Sequence, residues 1–215
     1  MTSPYAVNLD LTDRPVLVVG AGPVAARKVS GLLRAGAQLT VVAPDAVPEI
    51  ADDPDVRWFR RPYQRGEVAS YRLAITATSE PAVNAQVATD GDAAGVFVNS
   101  ADDPANCTFT LPAVARHGDL QVAISTNGRS PGLAGWLRRR YERELSGGYD
   151  QLLDLLSEVR AEARATFGTS EITGWDDALD ADLLGLVRAG RIEDARSMLR
   201  SSLGLPNANP TEVAS

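Results

Sequence analysis

The chain has 215 residues, 44% hydrophobic and 23% charged, enough for one α/β domain with a smaller appendage. A formal net charge of −7 argues against general nucleic-acid binding, which needs a basic footprint. With no membrane-length apolar stretch, no signal-peptide pattern, a single cysteine (Cys107) and a single histidine (His117), the composition predicts a cytoplasmic protein without membrane association, intramolecular disulfide or metal site.

Arg14-Pro15-Val16-Leu17-Val18-Val19 reads as a short buried strand, and Gly20-Ala21-Gly22-Pro23-Val24-Ala25 turns from it into a helix. Gly20 permits the tight turn, Gly22 keeps side chains away from an approaching pyrophosphate, and Ala25 lets the helix lie close to the sheet. The first N–H groups of the helix then face the anion. Val24, Ala25, Val29, Leu32 and Leu33 recur at helical spacing, and Gly36 stands where a C-terminal cap belongs. Leu39–Ala43 is the second strand, ending at Pro44-Asp45. Asp45 falls about 20 residues past the glycines, where a ribose-binding acid is expected. Because Pro44 sets Asp45 slightly beyond the strand end, its contact can be by side chain or by backbone.

Val56–Phe59, Leu73–Ala77 and Val96–Val98 read as further strands, with a helix opening at Ser79-Glu80-Pro81 and packing through Val83 and Val87. Strands alternating with helices predict a Rossmann-type parallel sheet, whose ligands gather at the carboxyl ends of the strands. Those ends are Gly20, Pro44, Thr78 and Asn99 onward.

Beyond Asp102-Asp103-Pro104 the pattern changes. Thr108–Leu111 and Leu120–Ser125 alternate as half-buried strands do. Ser130-Pro131 caps a helix bearing Leu133, Trp136, Leu137, Tyr141 and Leu145, which stops at Gly147-Gly148. A strand–strand–helix piece of this size has little core and is expected to pack on its own copy, giving a homodimer. A long helix from Tyr149 to Gly168 and two shorter ones, Leu179–Arg188 and Arg191–Leu203, complete a helical domain. The boundaries read from the sequence are 1–113, a Rossmann domain; 114–147, a small α+β dimerisation segment; 148–205, helical; and 206–215, a disordered tail.

Asp102 and Asp103 stand at a strand end facing the presumed crevice. A carboxylate there can accept a proton as the nicotinamide accepts a hydride, or it can simply build a turn. Ser125-Thr126-Asn127-Gly128-Arg129-Ser130-Pro131 suits either an anion-binding turn at a helix start, with Thr126, Asn127 and Arg129 as candidates, or an ordinary capped loop. Between Arg129 and Glu144 five arginines stand against two glutamates, which fits a solvated helix face or a landing surface for a polycarboxylate. His117 reads as part of a polar turn and Cys107 as a buried small hydrophobe.

Five ordered motifs, Val18–Lys28, Ala35–Pro44, Ala77–Asn84, Val98–Pro104 and Val122–Pro131, together resemble the precorrin-2 dehydrogenase family of siroheme biosynthesis. That family includes the N-terminal module of bacterial siroheme synthase, the stand-alone bacterial dehydrogenase and the fungal bifunctional dehydrogenase/ferrochelatase. The resemblance runs from about residue 5 to 160. It implies NAD-linked oxidation of precorrin-2 to sirohydrochlorin and a homodimer, and leaves open Fe²⁺ insertion. It also implies that Asp102 is the catalytic group and that Pro23, Val24, Pro44 and Asp45 touch the dinucleotide, with Thr78 nearby. Thr126 stands where some siroheme synthases carry a phosphorylatable serine, and Asn127 replaces a frequent glycine. The competing reading is a non-catalytic NAD-sensing regulatory domain.

Overall fold

The computed structural model describes residues 4–206 apart from 102 and 181. The tail expected from 206 onward therefore lies outside the described residues beyond Pro206. The chain divides between Leu111 and Pro112 into two compact units.

In the first unit, strands β1 (Pro15–Val19), β2 (Gln38–Ala43), β3 (Val56–Arg60), β4 (Leu73–Thr76) and β5 (Phe97–Ser100) form a parallel sheet in the order β3-β2-β1-β4-β5. Helices α1 (Pro23–Arg34), α2 (Pro48–Ala51) and α3 (Pro81–Ala94) connect them. β1 is almost wholly apolar because both its faces are covered. Val16 and Val18 pack with Ala25, Val29 and Leu32 of α1, while Leu17 and Val19 pack with Val87 of α3. Each such fully buried side chain contributes about 1.5–3 kcal/mol relative to exposure.

Thr108–Leu111, expected as a strand, is not one. Thr108 instead covers the edge of β5. Its N–H donates to the Val98 carbonyl at 2.8 Å and its hydroxyl accepts from the Val98 N–H at 2.8 Å. A side chain thus substitutes for part of a ladder and leaves no bare sheet edge there. Cys107 is not a buried hydrophobe either. Its thiol accepts from the Ser100 N–H at 3.2 Å and lies 3.3 Å from both the Ser100 and Asp103 carbonyl oxygens.

In the second unit, β6 (Ala113–His117) and β7 (Leu120–Ile124) make an antiparallel hairpin, from which the chain enters α4 (Pro131–Leu145). The turn is Gly118-Asp119 with the glycine first at φ +52°, as a two-residue hairpin favours. His117 therefore ends a strand rather than lying in the turn, and its Nε2 is 3.6 Å from Asp150 Oδ2. Helices α5 (Tyr149–Phe167), α6 (Trp175–Asp180), α7 (Leu183–Arg188) and α8 (Ile192–Ser202) share a core of Leu152, Leu155, Val159, Leu183, Val187 and Leu199. The helix expected over 179–188 is two helices. Asp182 sits before α7 at φ +59°, a conformation that an uninterrupted helix cannot contain.

A buried carboxylate ties the loop after β3 to α3. Asp90 accepts from Tyr63 Oη at 2.9 Å, the Gly66 N–H at 2.7 Å and Gln86 Nε2 at 2.7 Å, with Arg65 at 3.9 Å. Burial alone raises the Asp90 carboxyl, but these donors outweigh it and hold the group below its ordinary value of 3.8. Burial first, and then the bond to Asp90, push the Tyr63 hydroxyl well up. A depressed carboxyl stabilises the fold above its unfolded pKa, and that contribution is lost as pH falls through the folded value. Asp90→Asn is expected to cost about 1.5–3 kcal/mol near neutral pH. Urea denaturation should show the gap between variant and wild type narrowing as pH falls below 3.8.

Candidate functional site: the carboxyl edge of the parallel sheet

The strand order reverses between β1 and β4, the position at which open α/β sheets leave a crevice beyond their carboxyl ends. Gly20 turns the chain out of β1 there at φ +101°. A Cβ on it would fall against the Ala77 carbonyl, well inside contact distance, and 3.1 Å from Thr78 Cγ2. The Gly20 N–H donates to the Val42 carbonyl at 2.9 Å, and the Ala77 N–H donates to Val19 at 2.8 Å. Glycine at position 20 is thus demanded by the fold itself.

Gly22 is different. It is the N-cap of α1 at φ −84°, an ordinary conformation, and a Cβ there would meet nothing within 4 Å. No fold contact requires a glycine at this position. Pro23 opens the helix without an N–H, no side chain caps it, and its first turn holds no acid. The orphan N–H groups of that turn and the positive end of the helix dipole are therefore available to an anion. Val24 is half-buried beside the fully buried Ala25.

Pro44 and Asp45 leave β2 on one side of this turn, tied to it where Val47 N–H donates to the Ala21 carbonyl at 2.9 Å. Both are exposed. Arg60, at the end of β3, donates through Nε to the Pro44 carbonyl at 3.2 Å and through a terminal nitrogen to Asp45 Oδ1 at 3.2 Å. Thr78 lies on the other side. Its hydroxyl accepts from the Glu80 N–H at 3.1 Å and lies 3.0 Å from Asn84 Oδ1, while Asn84 Nδ2 donates to the Thr78 carbonyl at 3.1 Å. The seven expected dinucleotide positions, Gly20, Gly22, Pro23, Val24, Pro44, Asp45 and Thr78, thus lie along one edge of one sheet. Sequence reading missed Arg60 and Asn84. Arg60 was detectable only through the parallel register, which sets it opposite Ala43.

Asp102 lies outside the described residues. Ala101 stands at this edge, its N–H donating to the Thr76 carbonyl at 2.9 Å. Asp103 is a turn builder. Its carboxylate accepts from the Ala105 N–H at 3.2 Å and from Asn106 Nδ2 at 2.6 Å, capping a 3-10 turn.

In the second unit, Thr126, Asn127 and Arg129 share the loop before α4. Asn127 at φ +51° and Gly128 at φ +74° form a turn closed by the Arg129 N–H on the Thr126 carbonyl at 3.0 Å. Asparagine is among the residues that tolerate this conformation, so the departure from glycine costs little. The Thr126 hydroxyl accepts from the Ser130 N–H at 3.1 Å, and Ser130 caps α4 through the Leu133 N–H at 3.3 Å. Along α4, Arg138 pairs with Glu142, whereas Arg139 and Arg140 have no carboxylate partner among the described residues. Leu133, Trp136 and Tyr141 are exposed on the same helix, at 49%, 49% and 40%.

Residues 7–113 match a family model for NAD(P)-binding domains, and residues 117–144 match the central region of siroheme biosynthesis proteins. The chain is thus similar to proteins of siroheme biosynthesis. It is 37% identical over 198 residues to the siroheme synthase of Methylococcus capsulatus, covering 90% of this chain and 42% of that one. With the siroheme synthase of Psychrobacter sp. strain PRwf-1 the identity is 34% over 206 residues, covering 93% and 42%. The chain therefore spans about two fifths of these curated relatives. The solved structure of SirC, precorrin-2 dehydrogenase, is similar at a TM-score of 0.68 and 26% identity, covering 92% of this chain and all of that one. Among the described residues no helix is long and apolar enough to cross a membrane.

The two glycines make opposite predictions. Gly20→Ala should lower the melting temperature markedly, because the side chain meets backbone. Gly22→Ser should leave melting unchanged or raise it, since serine is a favoured N-cap, and yet should weaken dinucleotide binding by about tenfold or more. Thermal denaturation and titration calorimetry with NAD+ read the two effects separately.

Proposed function

We propose that this chain oxidises precorrin-2 to sirohydrochlorin, with NAD+ as the acceptor, in siroheme biosynthesis. The observation that carries the reading is the uncapped start of α1 beside an unfilled Gly22, in a chain similar to the whole length of a solved precorrin-2 dehydrogenase. When bound, the nicotinamide would take up a hydride, and the overall change is precorrin-2 and NAD+ to sirohydrochlorin, NADH and a proton.

The residues of this chain act around that exchange. The first-turn N–H groups of α1 bind the pyrophosphate, and Gly20 and Gly22 keep the approach open. Pro23 and Val24 line the helix start, Pro44 and Asp45 meet the ribose end, and Thr78 flanks the turn from the other side. Asp45 selects NAD+, because a carboxylate accepts hydrogen bonds from ribose hydroxyls and repels a phosphate. Asp102 takes the released proton as an ionised carboxylate. In the second unit, Thr126, Asn127 and Arg129, with Arg139 and Arg140, which have no carboxylate partner among the described residues, form a local positive surface for the carboxylates of the tetrapyrrole on an otherwise acidic protein. The exposed Leu133, Trp136 and Tyr141 of α4 support a homodimer formed through this helix, and the chain works in the cytoplasm.

Anaerobic incubation with precorrin-2 and NAD+, followed by the absorbance of the reduced nicotinamide, tests the reaction. Asp102→Ala should lower NADH formation about a hundredfold or more while NAD+ binding persists. Full activity in that variant would remove Asp102 from the mechanism. NAD+ binding without turnover in the wild type would favour a regulatory role. Trp136→Glu should shift the protein to a monomer in sedimentation velocity, and an unchanged dimer would place the interface elsewhere.

A further inference from the structure

Arg60 is held in an unusual place for a surface arginine. It is the last residue of β3, its register partner is Ala43 at the end of β2, and Pro44 and Asp45 follow directly. Three contacts fix the guanidinium there. Nε donates to the Pro44 carbonyl at 3.2 Å, a terminal nitrogen reaches Asp45 Oδ1 at 3.2 Å, and the group lies 5.8 Å from the centre of the Trp58 ring. Trp58 is itself anchored, since Nε1 donates to the Ala43 carbonyl at 3.0 Å. The neighbouring cations serve elsewhere. Arg61 makes a fork with Glu67 at 2.6 and 3.0 Å, and Arg57 lies 4.7 Å from the Phe59 ring. Beyond the end of β2, a carboxylate and a guanidinium are therefore paired with each other.

A carboxylate at this point is suited to a free ribose 2′-hydroxyl, and a guanidinium to a 2′-phosphate. Here both are present, and the first occupies the second. We propose that the Asp45–Arg60 pair sets the choice between the two nicotinamide dinucleotides: Asp45 excludes the 2′-phosphate and holds Arg60 away from it, and loss of the Asp45 carboxylate turns Arg60 into a phosphate receptor. The inference rests on the dinucleotide reading of the Gly20–Gly22 turn. Asp45 and Arg60 are 88% and 72% exposed at their side chains, so substitutions at either leave the core intact.

The test is calorimetric titration of NAD+ and NADP+ into the wild type, Asp45→Ser and the double variant Asp45→Ser/Arg60→Ala. Wild type should prefer NAD+. In Asp45→Ser the ratio of affinities should move toward NADP+ by about tenfold to a hundredfold, the span of one or two charge-assisted hydrogen bonds. In the double variant that movement should vanish. An unchanged ratio in Asp45→Ser overturns the inference while leaving the dinucleotide site standing. An equal gain in the double variant overturns it as well, by removing Arg60 from the account. If the wild type binds neither dinucleotide, this inference and the reading beneath it both fall.

Discussion

Close approach between the turn after β1 and the backbone after β4 fixes where α1 begins, and the crevice is arranged around that start. Gly20 lies against the Ala77 carbonyl and beside Thr78, and its own N–H is spent on Val42. The chain then has one direction left to take. It enters α1 through Gly22 and Pro23 with its leading N–H groups uncapped. Water satisfies such groups adequately, but an anion satisfies them better because the helix dipole adds to the hydrogen bonds. Site and fold share a cause here, since the packing that closes the sheet aims the helix.

The two units contain different kinds of polar order. In the first, polar groups away from the surface are tied down, as with the buried Asp90 and its three hydrogen-bond donors or the half-buried Cys107 thiol between Ser100 and Asp103. In the second, charge stays at the surface. Arg196 bridges α8 to Glu158 of α5 at 2.7 Å, Arg200 pairs with Glu162 in the same way, and Arg188 donates to the Gly147 carbonyl at 2.7 Å. Partly exposed pairs of this sort each contribute modestly, so the helical unit depends on its apolar core. The Cys107 contacts, at the carboxyl end of β5, suit a sheet edge that must hold a ligand in one pose.

Most of the first unit was legible because its signals are local. A buried run ending in glycine, a helix-period stripe, and Pro81 opening α3 each carry their meaning within a few residues. The expected dinucleotide positions came from strand ends and from the motifs of the resemblance. What escaped depended on partners distant in the chain. Alternation in Thr108–Leu111 looked like a strand, but Thr108 met the edge of β5 with its hydroxyl instead of a full ladder. Cys107 looked apolar until its neighbours proved to be a backbone N–H and two carbonyls. Arg60 fell just outside the strand read over Val56–Phe59, and only the pairing of β3 with β2 set it beside Asp45. The break at Asp182 left no composition signal, because leucines continue at helical spacing on both sides of it.

The position of β1 has a consequence for how the molecule is made. It is synthesised before the other four strands of its sheet, yet it lies at the centre of that sheet, with Val16 opposite both Leu39 and Leu73. Its second neighbour emerges only after two further strands. Until then one side of β1 has unpaired backbone, and the Gly20 bend lacks the carbonyl it rests against. Non-local parallel pairing of this kind slows folding, since loop closure comes before the contacts that offset it. A nascent chain halted before Leu73 would therefore hold the glycine motif intact in sequence without the shape that gives it meaning.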